Sequence, residues 1–334
     1  MKLQNKIAIV VFAVTMPFMP MLAQGNAMAY APVIPEKVHF ADRVVDLDRI
    51  DFYERMDREM ISFAFGHTNS QLPPSRPNLQ ARPVPSISSQ FQGHSDWLVL
   101  LSKECWCAQK QTILKEQGVP EDLVYLAAIE SHYDNAAVSS AKAVGMWQFM
   151  PSTAKEYGLE VNEYVDERLD CDKSTVAACK YFKRAYAKYK CWLTVAAAYN
   201  AGMGRISKSL ETQDVEHALD LYLNKETSRY IFRLLAMKLI IENPARYGYA
   251  IKANQLYQPL DCDTFVVAEP VKDWVQWSKE HNITYSLLRE YNPWIRSVSL
   301  PNPNNKTYVV KIPKETSLYR SKQTLKTYRE NWTR

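Results

Sequence analysis

Between Pro120 and His132 the chain places Leu123, Leu126 and Ala127 at i, i+3 and i+4, the repeat that lines one face of an α-helix. Pro120 at the first helical position and Glu121 and Asp122 in the first turn complete a helix start. Gly118 ends the helix before it, and Pro151-Ser152-Thr153 opens the next. Ser174 is expected to cap a long amphipathic helix through Tyr189, with Val176, Phe182, Tyr186 and Tyr189 on or near its buried face. Trp192 to Tyr199 is nearly all apolar, the pattern of a central buried helix. Upstream, the pattern predicts a helix around Val45–Phe63 and then a Pro- and Ser-rich loop from Pro73 to Ser89. Past residue 260 the period switches. Thr264–Val267 and Lys306–Pro313 read as strands bracketing helical runs at Val271–His281 and Thr284–Tyr291, a βααβ order.

One position breaks the helical pattern. The next residue of the Leu123 stripe, at i+7, is Glu130. A carboxylate aimed inward from the last turn of a helix is disfavoured as an anion by lost hydration and by the negative end of the helix dipole. Both raise its pKa, and a carboxyl that keeps its proton near neutral pH can protonate a leaving glycosidic oxygen. The alternative is a Glu paired to a buried Arg or capping a neighbouring backbone.

Composition narrows the classes. The 334 residues are 47% hydrophobic, enough for one sizeable core or two modest ones. Residues 1–29 read as a signal peptide: Lys2 and Lys6, an apolar run from Ile7 to Ala23, then Ala27-Met28-Ala29 as a cleavage site. The expectation is an exported, periplasmic or cell-envelope protein. No cysteine follows the run to carry a lipid, so membrane association stays open. The net charge of +5 falls by two once Lys2 and Lys6 leave, too mild a surplus for nucleic acid. All six cysteines survive that cleavage, and export permits disulfides. Cys105 and Cys107 cannot bond each other on a helix; a bridge from Cys171 or Cys191 to Cys179 and free buried thiols are both compatible with the spacing. The six histidines are scattered, with no cluster at metal-ligand spacing, so neither metal nor cofactor is expected.

After Glu130-Ser131 come Gly145-Met-Trp-Gln-Phe-Met-Pro151, Ala197-Ala-Tyr-Asn-Ala-Gly202 and Leu223-Asn-Lys-Glu-Thr-Ser-Arg-Tyr230. In this order the four resemble the motifs of family 1 lytic transglycosylases, the goose-type-lysozyme-like enzymes of peptidoglycan. Val165-Asp-Glu-Arg-Leu-Asp170 and Ser174-Thr-Val-Ala-Ala178 are similar to the murein transglycosylase D branch. The resemblance runs from roughly Leu100 to Ile241. The βααβ segment, through Leu288-Arg-Glu-Tyr-Asn-Pro-Trp294 and Lys311-Ile-Pro313, resembles a LysM domain, but Ala268-Glu-Pro270 replaces the usual Gly-Asp turn. The module is therefore either a weak sugar binder or a structural cap on the catalytic domain. These resemblances imply a mainly α fold: a signal peptide at 1–29, a helical and loop region at 30–95, a lysozyme-like helical catalytic domain at 96–250, a small LysM-like module at 262–313 and a basic tail at 314–334.

The resemblance also implies an activity: cleavage of the β-1,4 bond between N-acetylmuramic acid and N-acetylglucosamine, leaving 1,6-anhydro ends, with peptidoglycan glycan strands as the partner. Glu130 would be the catalytic residue. Ser131, Ser139, Gly145, Gln148, Tyr199, Asn200 and Tyr230 would bind substrate or position the acid, with the Tyr199 and Tyr230 phenols beside the Glu130 carboxyl. Gly145 would let backbone approach the sugar, whereas Trp147 and Phe149 read as core. Gly202 and Gly204 would permit the turn after Asn200. Lys142 stands where the family usually has Gly. No second carboxylate stands out: Asp134 falls past the helix end, and Asp166, Glu167 and Asp170 read as an ion-paired loop and helix start. The rivals are a lysozyme-type muramidase using water and a non-catalytic peptidoglycan-binding protein.

Overall fold

The computed structural model describes residues 35–47, 109–247 and 260–318. The expectations for 1–29, for the loop at 73–89, for Cys105 and Cys107, and for the tail beyond residue 318 lie outside the described residues.

A hairpin comes first: β1 (Lys37–Phe40) pairs antiparallel with β2 (Arg43–Asp46), Val38 opposite Val45 and Phe40 opposite Arg43. Val38, Phe40, Val45 and Leu47 turn inward and join the main core. The helix expected from Val45 is thus not a helix over Val45 and Asp46; there the period is two, and residues 48–63 lie outside the described residues. The Ala41 amide donates to Asp122 Oδ2 at 2.7 Å, which fastens the hairpin turn to the start of the Glu130 helix.

Helical residues 109–116 stop at Gly118, whose φ of +68° suits a residue without a side chain. A 3₁₀ turn, Glu121–Leu123, leads into α1 (Val124–Ser131). Pro120 stands just outside that turn as its cap, not inside a continuous helix. Every residue of α1 from Val124 to Ile129 is buried, so the expected stripe is the whole cylinder, as befits a central helix. After α2 (Pro151–Glu156) comes α3 (Cys171–Tyr189). Its cap is Asp170, which accepts from the amides of Asp172 and Lys173; Ser174, expected there, is buried one turn inside. Phe182 is fully buried on the inner face, worth about 1.5–3 kcal/mol, while Val176, Tyr186 and Tyr189 are only partly covered. α4 (Trp192–Ala201) packs between α3, α5 (Met203–Gln213) and α6 (Lys225–Glu242).

The C-terminal module is βααβ as expected. β3 (Cys262–Val267) pairs antiparallel with β4 (Tyr308–Pro313), and α7 (Trp274–Glu280) and α8 (Tyr285–Tyr291) lie between them. Trp274, Leu288, Trp294, Ile295 and Val310 fill its core, and Val165 of the helical domain completes it. The tail begins with a 3₁₀ turn, Glu315–Leu318. Cys171, Cys179, Cys191 and Cys262 carry free thiols, so no bridge joins Cys179 to Cys171 or Cys191. Burial pushes the Cys171 and Cys179 thiols up to about 12. Among the described residues no helix is long and apolar enough to cross a membrane.

Candidate active site

Glu130 sits in the last turn of α1, half-buried, and its Oε1 accepts a hydrogen bond from the Tyr230 hydroxyl at 2.6 Å. Tyr230 arrives from α6, which packs along α1, so the pair is fixed by a helix–helix contact. Burial raises the Glu130 pKa, and the Tyr230 hydrogen bond and the Arg233 charge offset that only in part. Arg233 escaped the sequence reading. Its signal was its place three residues beyond Tyr230, on the same helical face.

The other expected phenol is near but turned away. Tyr199 donates to the Trp147 carbonyl at 2.5 Å, and its ring packs against Phe149, Tyr181 and Phe182. Burial and then the Glu130 charge push both phenols well above their usual range, so each keeps its proton.

Several residues expected to meet substrate instead build the loop beside Glu130. Ser131 is buried and donates to the Met146 carbonyl at 2.8 Å and to Ala127 at 3.2 Å, which leaves its hydroxyl no proton for a sugar. Gly145, at φ +83°, packs closely against the backbone behind the loop. A Cβ there would lie 2.2 Å from the Arg168 carbonyl oxygen, so glycine is required by the backbone behind the loop. The Gln148 amide nitrogen donates to Gly145 at 2.7 Å and Ala137 at 3.2 Å, so its NH₂ is committed to the loop. Ser139 closes a small turn by accepting from the Ala143 amide at 3.0 Å. Lys142 lies in that turn at φ +66°, which explains why glycine suits the position. Asn200 is half-exposed at the end of α4, and Gly202 turns the chain at φ +85°. Gly204 lies inside α5, not in the turn. Trp147 and Phe149 are core, and the Trp147 indole donates to Thr175 at 2.9 Å.

Arg168 holds this loop from behind. Its guanidinium pairs with Asp166 at 2.8 Å and donates to the carbonyls of Phe149 at 3.1 Å and Lys142 at 3.2 Å. In sequence the polar motif at 165–170 reads as an ion-paired loop and helix start, and its reach across to the 142–149 loop is not visible there. The remaining acids are engaged: Asp134 accepts from the Ala136 amide at 2.8 Å, and Asp170 caps α3. No carboxylate is among the groups that shift the Glu130 pKa.

Residues 108–219 match the family described as transglycosylase SLT domain, and residues 263–316 match the soluble lytic transglycosylase C-terminal LysM-like domain. The chain is 31% identical over 207 residues to the membrane-bound lytic murein transglycosylase D of Escherichia coli strain K12, covering 60% of this chain and 45% of that protein. It thus spans about half the length of that relative. A putative tributyltin chloride resistance protein of Alteromonas sp. strain M-1 is 24% identical over 184 residues, 54% of this chain and 89% of that one. Among solved structures, the 70 kDa soluble lytic transglycosylase of Escherichia coli aligns with a TM-score of 0.34 at 21% identity, over 40% of this chain and 24% of that one. The chain joins a transglycosylase SLT domain to a lytic-transglycosylase LysM-like domain, and it is a homologue of lytic murein transglycosylase D.

Proposed function

We propose that this protein is an exported peptidoglycan lytic transglycosylase of the cell envelope, cleaving the bond between N-acetylmuramic acid and N-acetylglucosamine. The observation that carries the reading is Glu130, its pKa raised by burial and its carboxyl held by the Tyr230 phenol, with no second carboxylate among the groups that shift that pKa. Paired-carboxylate glycosidases need a second acid as nucleophile or base. Here one carboxyl takes both proton steps. Protonated Glu130 donates to the glycosidic oxygen as its bond to C1 breaks, with the 2-acetamido oxygen of the substrate supporting the positive charge at C1. The resulting carboxylate then removes the proton from the muramic 6-hydroxyl, whose oxygen bonds to C1. Glu130 ends protonated, and the product is a 1,6-anhydro sugar with no water added. Tyr230 keeps the carboxyl in one rotamer through both steps, and the Arg233 charge favours the carboxylate between them. Gln148 Oε1 and Asn200 remain to meet an acetamido or hydroxyl group.

Digestion of purified peptidoglycan in heavy-oxygen water tests the reading. Unlabelled anhydro ends are expected. Labelled reducing ends as the main product would make the protein a muramidase, and no products at all would leave a binding protein.

A further inference from the structure

The C-terminal module is not tethered beside the helical domain; it is built into it. Val165 is fully buried in the module core, the Asp166 amide donates to the Trp294 carbonyl at 2.9 Å, and the Arg296 amide donates to the Tyr164 carbonyl at 2.8 Å. Lys306 of the module bonds Glu160 at 2.7 Å and Glu167 at 2.9 Å, and the Tyr308 hydroxyl donates to Glu160 at 2.9 Å. The Glu167 carboxylate also takes Lys173 at 2.6 Å and the Glu160 amide at 2.7 Å, with only 3% of its side chain exposed. Glu167 is bonded through the chain to Arg168, the residue that holds the 142–149 loop at two carbonyls and stacks its own carbonyl against Gly145. That loop in turn accepts from Ser131, next to Glu130.

We propose that the LysM-like module serves the cleft as a brace, and that Lys306 is a positioning residue which sets the 145–149 loop against Glu130 through Glu167 and Arg168. The inference rests on the cleft being the active site. The segment at 160–170 has a module on one face and the site loop on the other, so a shift at Lys306 has a short, packed route to the reacting carboxyl. Side chains that act only through such support change turnover more than affinity, because they alter the geometry of the acid and not the sugar contacts.

The test is steady-state turnover of the full chain on purified peptidoglycan, at a temperature well below each variant's melting point. Lys306→Met is expected to lower kcat roughly tenfold with KM within about twofold, and Lys306→Arg to recover most of the loss. If Lys306→Met is too unstable to assay, Tyr308→Phe, which removes one hydrogen bond to Glu160, is read in the same way with a smaller loss. Normal kcat in a folded variant would overturn the inference by making the interface merely structural. A raised KM at normal kcat would overturn it by making the module a binding surface. Because kcat ratios can be read for either product, a wild-type protein that makes reducing ends would sink the transglycosylase reading without touching this one.

Discussion

Glu130 and Glu167 carry the same carboxyl in similarly enclosed places, yet their pKa values move in opposite directions. Burial alone raises both. At Glu130 the balancing contacts are one neutral hydroxyl and one arginine charge, too little to undo it, and the pKa stays raised. At Glu167 two ammonium groups and a backbone amide outweigh burial, and the carboxyl stays ionised. The difference lies in the donors. A phenol orients a carboxyl without supplying charge, whereas lysines fix both its place and its ionisation. One glutamate is left able to give up a proton; the other is made a joint.

Replacing each carboxyl by an amide should therefore do different things. Glu130→Gln keeps the shape and is expected to lose about 10²-fold or more of activity with unchanged melting, since it removes the proton donor. Retained turnover in a normally melting variant would end the assignment of Glu130. Glu167→Gln should instead lower stability by about 2 kcal/mol, as loss of the anion strands the lysines. That is below the usual cost of breaking a buried pair, because Lys173 and Lys306 are more than a third exposed. Denaturant unfolding measures it, and equal stability would show that Glu167 is no joint.

Half of this contrast was legible beforehand. Glu130 declared itself by interrupting an apolar helix, and Tyr230 by its motif, because both depend on local spacing. Glu167 reads as part of an ion-paired loop, but its partner Lys306 lies in another domain and is not visible from local spacing. The packing reason for Gly145 is not legible: its neighbour, the Arg168 carbonyl, comes from a segment that sequence cannot place. The hairpin at 37–46 was missed because its turn uses Ala41 at positive φ, without the Asn-Gly or Asp-Gly pair that announces such turns. At the start of α3 both Asp170 and Ser174 are capping types, and the choice fell one turn late.

Tyr230→Phe sharpens the comparison at the cleft. It deletes the hydrogen bond that holds Glu130 in place, and roughly tenfold lower activity is expected, equal to about one hydrogen bond to an ionisable group. The same bond lowers the Glu130 pKa, so its loss leaves that pKa higher still. Activity that needs protonated Glu130 falls as pH rises through this pKa. The alkaline limb of the rate profile should therefore move upward in the variant even as the plateau drops. A limb that stays put would mean that Tyr230 does not govern the proton.

The smallest effect belongs to the interface under acid. Burial would raise the Asp172 pKa, but the Lys110 charge and the Lys311 hydrogen bond hold it at about 2, against an ordinary value of 3.8. Glu167 is lowered as well. A carboxylate held down in the folded chain gives its full stabilisation above the ordinary value and loses it as pH falls through the folded one. The module's hold should thus be complete above about pH 5 and drain away between about pH 5 and pH 2, whereas Glu130, with its raised pKa, adds nothing to this loss. Asp172 keeps 44% of its side chain exposed, so solvent screening limits its share to below about 1 kcal/mol. Melting temperature followed from pH 5 to pH 2 should fall less steeply in Lys311→Met than in the wild type. Parallel curves would show that Asp172 is not held by Lys311 and would leave the interface to Glu160 and Glu167.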